Sequence, residues 1–131
     1  MKRIEFYKKK EEKIIDPLLL SEIAESFAKE VATSGGKSQN KPSQIRKFFD
    51  EVVRLNTLAK IKKSEWDYIL PLVHMIISKA AYAHGRNHLT ENFKDFIKTS
   101  VDQVVTPEDL NVFMLFFESF IGFYKLYRPK D

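Results

Sequence analysis

His84 and His88 stand four residues apart in YAHGRNH, the spacing that sets two imidazoles on one helix face as metal ligands. Beside Lys79 and Arg86, the same pair has the makings of the general acid and base of a small ribonuclease. Gly85 falls between the two histidines, where it should end a helix, and no pair of carboxylates stands close by to complete a ligand set. A second stretch, GGKS at 35–38, is spelled like the tail of a phosphate-cradling nucleotide loop. That loop needs another glycine five positions before its Gly-Lys pair and a strand leading in. Here the position is Val31, and the preceding residues read as a helix. No serine sits in a nucleophile elbow, and no acidic cluster suggests two-metal chemistry. The sequence therefore assigns no catalytic residue, no metal site, no cofactor and no small-molecule substrate.

Binding chemistry is better represented. Lys37 and Lys41 lead into a helix on which Ser43 and Gln44 come first, and the free N–H groups of a helix start attract anions. Arg46, Lys47 and Arg54 follow along the same helix, opposite its apolar face at about 100° per residue. Asp50, four residues from both arginines, has the spacing to hold them in line. A second group, Lys79, Tyr82 and Arg86, recurs at steps of three and four, so positive charge and an aromatic ring share one helix face. Charge is segregated to match. The chain carries +4 overall, yet residues 37–63 alone hold eight basic and two acidic side chains. Such asymmetry points to a polyanionic partner.

The elements that must carry these residues are helical. The 131 residues, 44% of them hydrophobic, are enough for one domain with a real core. Glycine and proline are few, and no sustained alternation marks strands. The periodicity predicts an all-α compact bundle of about five helices in a single domain, 1–131, with a basic N-terminal extension at 1–15. The first helix runs from about Asp16, a cap before Pro17, to Thr33, with Leu20, Ile23, Ala24, Phe27 and Val31 inward. A flexible loop at 34–40 follows. The second helix spans about Pro42 to Lys63 with Ile45, Phe48, Phe49, Val52, Leu55 and Ala59 inward. Ser64 is placed to cap the third, which Pro71 kinks or splits and Gly85 ends. Thr90 opens the fourth, with Phe93, Phe96, Ile97, Val101 and Val104 inward, and Thr106-Pro107-Glu108-Asp109 is a start signal for the fifth.

That last helix has too much apolar surface for one contact face. Leu110, Phe113, Phe117, Ile121 and Tyr124 define one side, and Phe116, Phe120, Phe123 and Tyr127 cover another. The second set is the expected subunit interface beyond the core, which implies self-association or a dedicated neighbour. With no cysteine, disulfides and thiolate chemistry are excluded. No apolar run approaches the ~18–20 residues that cross a bilayer, so no membrane role is expected and the cytoplasm is the expected location.

The start NKPSQIRKFFDEV (40–52) together with SKAAYAHGR (78–86) resembles the small helical subunit of the type III-A CRISPR effector, the Csm complex. The resemblance covers roughly residues 16–128. It implies a non-enzymatic subunit that stacks in copies along the duplex of crRNA and target RNA. Backbone subunits that grip the guide and a polymerase-like large subunit would be its neighbours. By motif, Lys41, Gln44, Arg46, Lys47, Lys79 and Arg86 would touch RNA, and the charge pattern adds Arg54 and Lys37. A His84/His88 ribonuclease and a helical adaptor that binds protein alone are the competing readings.

Overall fold

The computed structural model describes residues 3–131; the first two residues of the expected 1–15 extension lie outside the described residues. The element order is β1 (Tyr7–Lys9), β2 (Ile14–Ile15), a π-turn (Leu19–Ile23), α1 (Ala24–Ala32), α2 (Pro42–Ile61), α3 (Trp66–Gly85), α4 (Glu91–Val101) and α5 (Pro107–Tyr127). The fold is all-α apart from one short antiparallel hairpin, in which Tyr7 pairs with Ile15.

Helix α5 is the axis of the bundle. Thr106 and Asp109 start it with a reciprocal capping box, and α1 and α2 pack along it while α4 rests on α3. Its ring-rich sequence is consumed inside the chain: Phe113, Phe116, Phe117 and Phe120 are fully buried and interlock with Phe93 and Phe96 of α4. The Phe96 and Phe120 centroids are 4.6 Å apart. Phe116 and Phe120 are therefore core residues, not an interface. A helix can be apolar around most of its circumference when neighbours cover it on several sides. Phe123 and Tyr127 are half-buried, and the Tyr127 hydroxyl donates to Glu25 at 2.7 Å.

Several expectations shift in register. Leu19 is fully buried and Leu20 only half, because the Ala24 N–H reaches back five residues to the Leu19 carbonyl and that wider turn moves the inward face. Asp16 accepts the Leu18 N–H at 2.9 Å, as a cap should. Ser64 caps nothing: it lies within a 3₁₀ turn (Lys63–Glu65), and Glu65 precedes α3 without a side-chain cap. Pro71 does not split the chain's third helix, which runs from Trp66 to Gly85 with the proline inside it. The inward positions of α2 and α4 are buried as expected.

The N-terminal extension and the loop expected to be flexible are both built into the fold. In the N-terminal hairpin, Ile4 and Phe6 are buried, with Phe6 stacked on Phe113. The Gln103 side chain clamps the backbone from both sides, accepting from Phe6 N–H at 2.9 Å and donating to the Ile4 carbonyl at 2.7 Å. At 34–40, Gly35 has φ +72°, and a Cβ there would meet Thr90 Cγ2 at 2.6 Å, so only glycine fits. Asn40 is fully buried and its amide donates to Thr90 Oγ1 at 2.7 Å, while Tyr124 donates to its carbonyl. The Arg128 guanidinium donates to the Gln39 and Lys37 carbonyls. This loop is fastened at both ends.

Candidate nucleic-acid interface

Helices α2 and α3 form an antiparallel pair, because only four residues separate Ile61 from Trp66. The far end is closed by the Asn40 N–H donating to the His88 carbonyl at 2.9 Å and the Gln39 amide donating to Asn87 at 2.8 Å. Turning the chain back in this way sets the second basic group beside the first. Glu51 of α2 is the junction. It accepts two hydrogen bonds from Arg54, at 2.8 and 2.9 Å, and one from Lys79 of α3 at 3.2 Å. The Arg54 hydrogen bonds hold its carboxyl below the usual carboxylate range. Arg54 therefore pairs with Glu51, while Asp50 faces Arg46 alone, at 3.4 Å. A step of three suits the short reach of Glu51 onto the side of the helix that faces α3.

Arg46, Lys47, Arg54, Lys79 and Arg86 are all exposed, as are Lys37 and Lys41; Gln44 is half-covered. Arg46 also lies over the Phe49 ring, 5.4 Å from its centroid, which stiffens the guanidinium. Tyr82 is 67% exposed, and Arg86 both donates to its hydroxyl at 3.1 Å and sits over its ring. The turn after α3 is closed by Asn87 in the left-handed region, φ +65°, rather than by Gly85. One histidine is structural: His84 Nδ1 is 2.8 Å from the Leu89 carbonyl within that turn.

The start of α2 is occupied. The Ser43 N–H donates to the Asp131 carboxylate at 2.9 Å, and this bond, with Lys41 and Arg128 nearby, draws the Asp131 carboxyl below its ordinary range. The helix end expected to be free for phosphate holds an anion from the chain itself. Sequence spacing could not reveal this, since the two residues are 88 positions apart.

Exposed apolar side chains collect elsewhere than expected. Leu126 on α5 itself is 68% exposed, but the largest group lies on α3, where Tyr68 is 78% exposed, with Leu72 and Met75 on the same face leading to Lys79 and Tyr82. Steps of three and four among these residues were present in the sequence. They were obscured because Ile69, Val73, Ile76 and Ala80 form the stronger buried stripe. Among the described residues, no three His, Asp or Glu side chains converge to hold a metal ion, and no helix is long and apolar enough to cross a membrane.

The two basic motifs of this helical bundle thus meet on one antiparallel helix pair and give it a single charged face. Residues 15–130 match the family model described as Csm2 Type III-A, and the chain belongs to that family. It is thus a structural subunit of a type III-A CRISPR complex and associates with other Csm subunits. No curated protein and no solved structure matched.

Proposed function

We propose that this chain binds the phosphate backbone of crRNA and target RNA through the α2–α3 face and stacks with further subunits along that RNA. The observation that carries this reading is the Glu51 junction, which joins the α2 and α3 basic groups into one surface. Lys41, Gln44, Arg46 and Lys47 serve its upper end, Arg54 and Lys79 its middle, and Arg86 with Tyr82 the end of α3; Lys37 reaches from the loop. Contacts of this type position the subunit without reading bases, so sequence choice stays with guide–target pairing. The subunit performs no hydrolysis, and its complex acts in the cytoplasm. Tyr68, Leu72 and Met75 in the first half of α3, with what remains uncovered of Phe123 and Tyr127, form the surface offered to a neighbouring subunit.

Filter binding with Arg46→Ala plus Lys47→Ala tests the assignment. Losing two phosphate contacts should lower the slope of log affinity against log salt by about 1.4 on single-stranded RNA, at ~0.7 per phosphate. An unchanged slope removes this surface from RNA binding. RNA should also remain intact after prolonged incubation, and cleavage that disappears in His84→Ala would restore the ribonuclease reading.

Glu51 supplies a second measurement in the opposite direction. Glu51→Gln removes the charge that occupies Arg54 and Lys79, so RNA affinity at low salt should rise about two- to fivefold, the scale of an exposed ion pair. A fall in affinity would mean that the carboxylate's positioning of the two cations outweighs its competition for them.

A further inference from the structure

The N-terminal hairpin lies before most of the span that matches the family, yet its attachment through Phe6, Gln103 and Asp109 is among the most heavily bonded in the molecule. Between the hairpin and the α4–α5 connection is a cleft of about 610 Å³, in the size range of sites that take small molecules or single nucleotides. Arg3, Lys8, Lys10 and Lys13 line it, with the Tyr7 ring and Val105 as its apolar wall.

Each acidic group on the wall is already matched. Glu5 pairs with Arg3 at 2.9 Å, Asp102 with Lys98 at 2.8 Å, and buried Asp109 with Lys13 at 2.7 Å. Lys8 and Lys10 remain: both are exposed, and among the described residues their side chains make no ion pair or hydrogen bond. Glu11 and Glu12 do not line this cleft; they border the neighbouring depression with Lys9 and Lys10. A cleft whose acids are neutralised while two lysines stay unmatched attracts an anion. Lys8 lies on β1 and Lys10 in the turn that follows it, so the anchored hairpin sets both backbones beside the cleft.

We propose that this cleft is a second phosphate-binding site, formed by Lys8 and Lys10 with Arg3 and Lys13 behind them, that takes a phosphodiester of the RNA backbone. It is separate from the α2–α3 face. Asp109, on its wall, and Tyr124, which holds the lead-in to α2, are 15 residues apart on α5, about 22 Å at 1.5 Å per residue. An RNA that touches both would be gripped at both ends of the bundle. The choice of RNA as the source of the phosphate rests on the proposed function; the anion site itself does not.

The test uses the full chain and Lys8→Gln plus Lys10→Gln, which should fold normally because neither side chain bonds to the rest of the protein. Two probes are titrated: inorganic phosphate, followed at the backbone amide resonances of Lys8, Lys10 and Val105, and a 20-nucleotide oligouridylate at several salt concentrations. Phosphate should shift those resonances in the natural chain and leave them unmoved in the variant. The RNA salt slope should fall by about 1.4 in the variant, two contacts at ~0.7 each. Phosphate shifts with an unchanged RNA slope would overturn RNA as the ligand and leave a site for free phosphate. No shift and no slope change would overturn the site. If instead the natural chain binds no RNA while phosphate still moves these amides, the proposed function fails and the anion site stands.

Discussion

Asp109→Ala is expected to destabilise the protein by about 3–5 kcal/mol, the cost of breaking a buried, hydrogen-bonded ion pair from one side. The carboxylate is 2% exposed and accepts from four donors: the Tyr7 hydroxyl at 2.5 Å, Lys13 Nζ at 2.7 Å, and the Val105 and Thr106 N–H groups at 3.0 Å each. Its removal strands two backbone donors at the start of α5 and releases the hairpin's second anchor after Phe6. For a chain of this size, Tm should drop roughly 10–20 °C by circular dichroism. A loss below about 1 kcal/mol would mean that water replaces the carboxylate at no cost.

The same group imposes a pH dependence. Burial alone raises the Asp109 carboxyl, but the bonds from Lys13, Tyr7, Val105 and Thr106 outweigh it and bring the value from 3.8 down to about 2. Between those values the unfolded chain binds a proton that the folded chain refuses, so stability falls as pH drops. Above about pH 4 the contribution, about 2 kcal/mol, is complete; it is lost as the pH falls toward 2. Urea unfolding across pH 5 to 2 should therefore be less steep in Asp109→Asn than in the natural chain. Parallel profiles would assign the acid sensitivity to other carboxylates. The partner is affected in the opposite direction: burial and the bond to Asp109 push the Tyr7 phenol up.

Phe120→Ala should cost a comparable 3–5 kcal/mol, the usual range for emptying a buried phenylalanine site. The ring touches Phe96, Phe117 and Tyr124, with centroids 4.6, 5.8 and 5.4 Å away, so the cavity would open where α4 and α5 meet. The measurement that matters is its dependence on protein concentration. A core position loses the same stability at 2 µM as at 200 µM, whereas an interface position loses more when the protein is concentrated enough to associate. A concentration-dependent effect would return Phe120 to the role its sequence pattern first suggested.

Why the pattern misled there is a matter of geometry. Periodicity reports which residues of a helix are apolar, and it counts faces, but it does not say how many neighbours cover them. The five helices, their inward residues on α2 and α4, and the capping box at Thr106 were all readable because each is a local signal. The basic groups at 41–54 and 79–86 were also legible, each as one helix face. Their union was not, since it depends on the tight turn at 62–65 folding α3 back on α2 and on Glu51 reaching across. Likewise the hairpin has strands of three and two residues, too short for alternation to register, and exists because Gln103 and Asp109 bind it from the far end of the chain. Asp131 at the start of α2 belongs to the same class of long-range contact.

The hairpin's anchoring also fixes an order of events. Tyr7 and its partner Asp109 are 102 residues apart, and Phe6 needs Phe113 and Phe116 before it has anything to pack on. Made before α5, these residues can complete their packing only once α5 has emerged. During synthesis at 5–20 residues per second, roughly, the hairpin waits several seconds while the helices behind it form from local contacts. Closure of this loop must therefore wait for contacts that the helices behind it make among themselves.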